Sequence, residues 1–319
     1  MWWLWLILSL IFIKLYNKSV CGWCYARNIM TGKVVIVTGA NAGIGFETAF
    51  NMARRGAKVY LACRDDARGA KAVEEIVSRT GNKHVIYKHL DLASLNSVRS
   101  FVEDIKKAEY RVDVLINNAG MTGYGLKKTE DGIVTEMQVN HFGHFLLTVL
   151  LVPLLKKSDD ARVVVVASTL HRFGSIDFKT INKEATWKIP YYGAIRLYST
   201  SKLCNVLFSN ELARRLEGTT VTVNSLHPGH VRTSIYKNLD RVTETIMNFL
   251  LSTFFKSAVE GAQTSIYLAA ADDLTGMTGR FFEECKEARM SVKAEDEELA
   301  EKLWNYSAEL VKLKPEEAI

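Results

Sequence analysis

The segment Val34-Val35-Ile36-Val37 constrains this chain more than any other feature. A strand exposed on one face alternates polar and apolar side chains. An unbroken β-branched run instead requires burial on both faces, as in a parallel sheet flanked by helices. Further strand-like runs recur with helix-period stretches between them: Val59 to Cys63, Val85 to Tyr87, Val112 to Ile116, Arg162 to Ala167, Val221 to Leu226, and a short seventh at Phe281-Phe282. Strands joined by helical crossovers predict an α/β fold with a doubly wound parallel sheet. No linker or repeat interrupts the pattern, so residues 31–319 read as a single domain. The 319 residues are 48% hydrophobic and 24% charged, a balance that fills such a core and argues against disorder.

Directly after the first strand comes Thr38-Gly39-Ala40-Asn41-Ala42-Gly43-Ile44-Gly45, leading into a helix that ends near Arg55. In this setting Gly39 allows a tight turn, Gly43 a close backbone approach to pyrophosphate, and Gly45 close helix–strand packing. The free N–H groups at the helix start then face an anion. Strand, glycine turn and helix together predict a dinucleotide site on a Rossmann fold, with Asn41 and Ile44 part of the same turn. The second strand ends at Cys63, followed by Arg64 and Asp65. An acid at that point accepts hydrogen bonds from the ribose diol of NAD, whereas a cation meets the 2′-phosphate of NADP. Arg64 points to NADP(H); a shift of one residue, to Asp65, would reverse the choice.

Residues 1–23 read as a hydrophobic membrane anchor. Met1 to Ile13 is almost wholly apolar, with Trp2, Trp3 and Trp5 suited to a membrane interface. The run is short of the roughly 20 residues that cross a bilayer cleanly, so a spanning and an interfacial anchor both remain open. Basic residues follow the run (Lys14, Lys18, Arg27, Lys33) and none precedes it, which places the domain on the cytoplasmic side. Cys21 and Cys24 form a C-x-x-C with no second pair to complete a zinc site. The net charge of +6 is scattered, with no basic stripe to bind nucleic acid.

Later residues carry a family resemblance: Asp91-Leu92, Asn117-Asn118-Ala119-Gly120, Asn140, Ser168, Tyr198-x-x-x-Lys202 and Pro228-Gly229, together with the glycine turn. From about Thr31 to Phe282 the chain resembles the short-chain dehydrogenases/reductases. Ala62 to Asp65, Val139 to Thr148 and Tyr198 to Leu203 look like the retinol dehydrogenase branch. Where members of the family often carry two serines this chain has Ala167-Ser168, and the catalytic position is retained. The resemblance implies catalysis by Ser168, Tyr198, Lys202 and Asn140, with Lys202 also reaching the nicotinamide ribose and Asn140 holding a water. It implies adenine contacts at Asp91 and Leu92, ribose contacts at Asn118, Ala119 and Gly120, and carboxamide contacts at Pro228, Gly229, Val231 and Thr233.

The chemistry is consistent with that assignment. Tyr198 and Lys202 lie one helical turn apart, and an ammonium beside a phenol stabilises the phenolate and lowers its pKa toward neutrality. Ser168 follows the fifth strand at its carboxyl end, where its hydroxyl can polarise a substrate oxygen. His141-x-x-His144 lacks a third ligand, and no metal site is expected. The apolar stretch at 234–258, with Ile246, Phe249, Leu250 and Phe254, suits a lid over a lipophilic substrate, a core segment or a homodimer contact. The expected reaction interconverts a lipophilic alcohol and its aldehyde or ketone with NADP(H), retinol/retinal first and a 17-beta-hydroxysteroid or other lipid carbonyl as the alternative. An endoplasmic reticulum or lipid-droplet membrane is the expected location. A cofactor-binding scaffold without catalysis is the contrasting reading, opposed by the intact Ser–Tyr–Lys set.

Overall fold

The computed structural model of the chain describes residues 2–123, 127–183, 190–231 and 255–319. Its centre is one eight-stranded sheet in the order β3-β2-β1-β4-β5-β6-β7-β8. The strands are β1 (Val34–Thr38), β2 (Lys58–Cys63), β3 (Val85–His89), β4 (Val114–Asn117), β5 (Ala161–Val166), β6 (Val221–His227), β7 (Phe281–Glu283) and β8 (Lys286–Ala288). All neighbours pair in parallel except β7 and β8, which form an antiparallel hairpin. The seven strands expected from sequence are all present; β8, only three residues of mostly exposed and charged character, is additional.

The continuous apolar strands are buried on both faces, as their sequences require. In β1, Val34 and Ile36 face one core and Val35 and Val37 face the other. The first core is closed by α4 (Leu95–Ala108), α6 (Gly143–Leu155), α7 (Pro190–Arg215) and α9 (Glu297–Leu310); the second by α2 (Gly43–Arg54), α3 (Asp66–Thr80) and α8 (Ala258–Ala270). Every residue of α6 except Pro153 is buried. That helix, with the short α5 (Thr135–Met137) and a π-type turn (Gln138–Phe142) at its head, is long and apolar enough to cross a membrane, yet it is mostly buried inside the protein as a core helix.

The amino-terminal edge of the sheet is pinned by one buried carboxylate. Asp113, just before β4, accepts hydrogen bonds from the Val34 amide at 2.8 Å, Ser158 Oγ at 2.7 Å and Arg111 Nε at 3.1 Å, and pairs with Lys33 Nζ at 3.3 Å. One side chain thus joins the start of β1, the start of β4 and the turn before β5.

The N-terminal residues Trp2–Ser19 form helix α1, with Trp5, Leu8, Ile11, Phe12, Leu15 and Tyr16 exposed. The chain that follows is strapped to the domain. Gly22 N donates to Glu284 Oε2 at 2.7 Å, Cys24 N donates to Gln263 Oε1 at 3.2 Å, and Arg55 donates to the carbonyls of Ala26 and Asn28. Burial pushes the Cys21 and Cys24 thiols up in pKa, which makes both poor thiolates.

Replacing Asp113 tests the pin at the sheet edge. Asp113→Ala leaves the Val34 amide without its acceptor and two cations without their counter-charge, and is expected to lower stability by about 3–5 kcal/mol. Urea unfolding of the two proteins followed by circular dichroism measures the difference; a loss below about 1 kcal/mol would contradict this role.

Candidate functional site

The strand order reverses between β1 and β4, and a crevice opens outside the carboxyl ends of these strands, as such a reversal generally produces. A cavity of about 770 Å³ lies there. From the turn it is lined by Gly39, Asn41, Gly43, Ile44 and Gly45. Arg64 from the end of β2, Asp91 and Leu92 after β3, Asn118 to Gly120 after β4, and Val231, all named from sequence, also line it, whereas Tyr198, Lys202, Pro228 and Gly229 are not part of this lining. Thr233 and most of the 234–258 segment lie outside the described residues.

The turn has the geometry of a phosphate cradle. Gly39 adopts φ 66°, a left-handed value that suits glycine, and a side chain at Gly45 would place its Cβ 2.5 Å from both Gly39 O and Asn118 Nδ2. The N-cap residue of α2 is Ala42, which supplies no side-chain hydrogen bond to the helix. The amides that a serine or aspartate would have capped stay available to an anion. Ile44 and Val231 pack together over Gly261 of α8, where a Cβ would sit 2.4 Å from Val231 Cγ2.

Thr38, the last residue of β1, organises the other wall. Its Oγ1 accepts from the amides of Asn118 and Ala119, both at 2.9 Å, while Asn118 Nδ2 returns a bond to Thr38 O at 2.8 Å. His144 Nε2 lies 2.9 Å from the same hydroxyl, and its Nδ1 lies 3.2 Å from Asn140 O. His141 instead meets Ser307 Oγ at 3.0 Å. The two histidines of H-x-x-H thus have separate partners, and burial pushes both down to about 3, so both are neutral.

Around the second strand the structure adds a residue that sequence reasoning missed. Arg68, in the first turn of α3, lines the cavity beside Arg64. With the Asn41 amide oriented to satisfy it, Asn41 Oδ1 accepts from Arg68 Nη2 at 3.1 Å and from Nε at 3.3 Å. Asp65 is the N-cap of α3, its carboxylate accepting from the Arg68 amide at 2.9 Å. An Asp-x-x-Arg pair at a helix start was the available signal, since a capping aspartate brings the residue three positions later to the strand end.

Beyond this cavity the four residues assigned to catalysis converge. Ser168 follows β5 and caps a short 3-10 turn, its Oγ accepting from Leu170 N at 3.2 Å, and it also hydrogen-bonds the Tyr198 phenol. Lys202 is buried, with Nζ donating to Val166 O at 3.0 Å and lying 5.5 Å from the Tyr198 ring centroid. Asn140 sits in the π-type turn, fully buried. Its Oδ1 accepts from Met121 N at 2.8 Å, and its Nδ2 donates to Met121 O at 2.9 Å and Ser201 Oγ at 3.0 Å. Gly120 lies between them: a Cβ there would be 3.5 Å from both Asn140 Oδ1 and Lys202 Nζ. Pro228 and Gly229 follow β6, Gly229 at φ 87° against the Lys256 side chain.

The electrostatics differ from the simple expectation. Burial, reinforced by the Glu136 carboxylate and opposed by the Ser168 hydrogen bond, pushes Tyr198 up to about 12. Burial pushes Lys202 down to about 8, with Glu136 opposing it. The phenol is not acidified in this geometry, because the amine is engaged by the Val166 carbonyl and desolvation dominates. Glu136 is a second residue absent from the sequence reading.

Thr38→Val keeps the shape of the strand end but leaves the Asn118 and Ala119 amides without an acceptor. It is expected to lower stability by about 1–3 kcal/mol and to weaken dinucleotide binding, as measured by thermal melting with and without added dinucleotide. Unchanged melting in both conditions would contradict the role given to this hydroxyl.

Comparison with known proteins matches this geometry. Residues 33–180 match the family model of the short chain dehydrogenases. Retinol dehydrogenase 14 of Mus musculus is 46% identical over 295 residues, covering 89% of this chain and 87% of that protein. Retinol dehydrogenase 12 of Homo sapiens is 44% identical over 290 residues, covering 91% of this chain and 90% of the other. Among solved structures, an uncharacterised protein from Mycobacterium paratuberculosis superposes with a TM-score of 0.71 at 33% identity, covering 91% of this chain and 98% of that one. A short chain dehydrogenase from Escherichia coli CFT073, complexed with NADPH, does so with a TM-score of 0.63 at 25% identity, covering 81% and 98%. The chain belongs to the short-chain dehydrogenase/reductase family of oxidoreductases, in its retinol dehydrogenase-like branch.

Proposed function

We propose that this protein is a membrane-attached, NADP(H)-dependent oxidoreductase that interconverts a lipophilic alcohol and its carbonyl, retinol and retinal being the leading pair. The observation that carries the reading is the convergence of Ser168, Tyr198 and Lys202 at the carboxyl end of β5, beside a cavity whose walls suit a dinucleotide. The similarity to retinol dehydrogenases 12 and 14 supports the substrate class. The preference for NADP(H) is supported by Arg64 and Arg68 on the cavity wall, and by the use of the Asp65 carboxylate in capping α3. A carboxylate engaged by a backbone amide is a weak acceptor for a ribose diol, while two guanidinium groups suit a 2′-phosphate.

The cavity residues fit the adenosine and pyrophosphate half of the cofactor. The glycine turn and the uncapped start of α2 would hold the pyrophosphate; Asp91 and Leu92 would take the adenine; Asn118, Ala119 and Gly120 the adenosine ribose; Pro228, Gly229, Val231 and Thr233 the carboxamide. When bound, the nicotinamide supplies a hydride to the carbonyl carbon or accepts one from the alcohol. Ser168 donates a hydrogen bond to the substrate oxygen, stabilising the charge that develops there. Tyr198 gives its phenolic proton to that oxygen in reduction and takes it back in oxidation. With an unperturbed pKa of about 10, a tyrosine exchanges protons efficiently near neutrality only with a cation close by, and Lys202 is the buried cation available. Asn140 clamps Met121 at both backbone atoms and so fixes the loop after β4.

Attachment through α1 rests on its exposed apolar side chains. Eighteen residues extend about 27 Å, close to the roughly 30 Å of a bilayer core. The basic residues after the helix favour a catalytic domain facing the cytosol, with an endoplasmic reticulum or lipid-droplet surface as the source of substrate.

The experiment is a panel of lipophilic carbonyls, including retinal and oestrone, assayed with NADPH and NADH in parallel for the full chain in detergent. Retinal is expected to turn over faster than oestrone, and faster with NADPH. Tyr198→Phe is expected to reduce kcat by about 10²–10⁴ while leaving NADPH binding intact. Turnover of no member would favour the non-catalytic scaffold, and a Tyr198→Phe protein as fast as the parent would remove the proposed acid/base.

A further inference from the structure

Glu136 is an acidic residue placed where a fold avoids one. It lies in α5, four positions before Asn140, and is fully buried. Its Oε2 accepts from Gly123 N at 3.1 Å, and the Thr122 hydroxyl also hydrogen-bonds the carboxylate. Its Oε1 has no hydrogen-bond partner among the described residues. A carboxylate held this way is costly to ionise unless a cation lies near. The cation that acts on it is Lys202, itself without a carboxylate partner within ion-pair distance among the described residues.

Among the described residues, each element packed against Glu136 contributes a defined set of groups. From α7 come Tyr198 and Lys202, both electrostatically coupled to it. From the loop after β4 come the neutral Thr122 hydroxyl and Gly123 amide. On its own side, Asn140 and Gln138 are neutral amides, His141 is neutral and bonded to Ser307, and Lys127, whose carbonyl accepts from Thr135 N, is exposed. Among the described residues the charge balance of the site is therefore held by the buried Glu136 and Lys202 and the half-buried Tyr198.

We propose that Glu136 is a positioning residue acting through Lys202: its buried carboxylate is the internal counter-ion that keeps the amine charged, and it thereby sets the pH range in which Tyr198 and Lys202 exchange a proton. The inference deepens the proposed function and rests on the same Tyr198–Lys202 site. Burial moves the two partners toward each other, Glu136 up to about 7 and Lys202 down to about 8. Near neutrality the pair holds one proton in either of two ways, as carboxylic acid and amine or as carboxylate and ammonium. The proton that leaves the carboxyl group is the one the amine gains, so no outside reactant is needed. With the carboxylate removed, both Lys202 and Tyr198 lose the charge that supports their protonated forms. Carbonyl reduction needs Tyr198 protonated and Lys202 charged, so its alkaline limb then moves to lower pH.

The test uses the full chain in detergent. The pH profile of retinal reduction with NADPH is measured for the parent, Glu136→Gln and Glu136→Asp. The alkaline limb of Glu136→Gln is expected about one pH unit or more below that of the parent, with Glu136→Asp restored toward it. A Glu136→Gln limb that coincides with the parent's overturns the proposal.

Melting of the dinucleotide-free protein gives a readout independent of turnover. Burial keeps the Glu136 proton in the folded protein up to about 7, whereas the free side chain loses it near 4.5. The folded state therefore binds more protons between those values, and the stability present below 4.5 is lost as pH rises through 7. Glu136→Gln does not titrate and is expected to gain Tm on the parent between pH 5 and pH 8. Lys202→Met strands the carboxylate and is expected to lower Tm at pH 8, and the double variant Glu136→Gln/Lys202→Met to recover most of that loss. Additive effects in this cycle overturn the pairing. A parent that reduces no carbonyl removes the proposed function, while the melting cycle still decides whether the two buried groups are partners.

Discussion

The hydroxyl of Thr38 is the interaction on which the site depends. At the end of β1 the sheet divides, and the amides after β4 lose the ladder partners that a neighbouring strand would provide. Thr38 Oγ1 accepts from two of them, and the Asn118 side chain closes the corner by bonding back to Thr38 O. The same hydroxyl meets His144, whose other nitrogen meets the carbonyl of Asn140. One connected set of hydrogen bonds therefore runs from the dinucleotide cavity to the π-type turn. There Asn140 fixes Met121 and touches Ser201, one residue from Lys202. Neutral histidine suits this position: an imidazolium would add a buried charge beside Lys202, and burial holds both His141 and His144 neutral.

The second organising constraint is desolvation. Lys202 and Glu136 are buried and Tyr198 is half-buried, and each group is driven toward its uncharged form. In water an isolated tyrosine and lysine would interact weakly; in a buried site the same pair of charges is worth far more. The cost is that a lysine left alone would release its proton. An acid on the preceding helix answers that problem without touching substrate. The arrangement explains why the phenol is not acidic in the dinucleotide-free geometry, with Lys202 Nζ turned to the Val166 carbonyl.

The architecture was readable because it rests on local signals that tertiary context does not override. Val34 to Val37 had no alternative to a strand buried on both faces, and the glycine turn after it has spacing that only a close anion approach and tight packing require. Lys202 and Tyr198, four apart on a helix, and Ala119 and Gly120 at a strand end were readable because together with the glycine turn they carry the family resemblance; the spacing alone would not have singled them out. The remainder depended on contacts between distant parts of the chain. Arg68 reaches the cavity only because Asp65 caps α3, a choice invisible to a reading that weighed Asp65 as a ribose ligand. Glu136 lies outside every motif that the sequence offered, and its burial follows from packing against α7, which begins 54 residues further on. The effect of Lys202 on Tyr198 was expected from proximity alone, which ignores how strongly burial acts on both. The lid at 234–258, together with Thr233, falls mainly outside the described residues, so the apolar side chains that suggested a lipophilic substrate remain a reading of sequence.

The claim at the centre of the account is that this site moves hydrogen directly between a nicotinamide and a carbonyl carbon, with the proton supplied separately by the protein. Mass spectrometry of the alcohol formed from a lipophilic aldehyde, with NADPH deuterated on one face of the C4 position in one experiment and on the other face in a second, measures this most directly. The account predicts one deuterium on the alcohol carbon with one of the two labelled cofactors and none with the other. Alcohol formed without deuterium from either, or carbon-bound deuterium taken instead from heavy water, would contradict it.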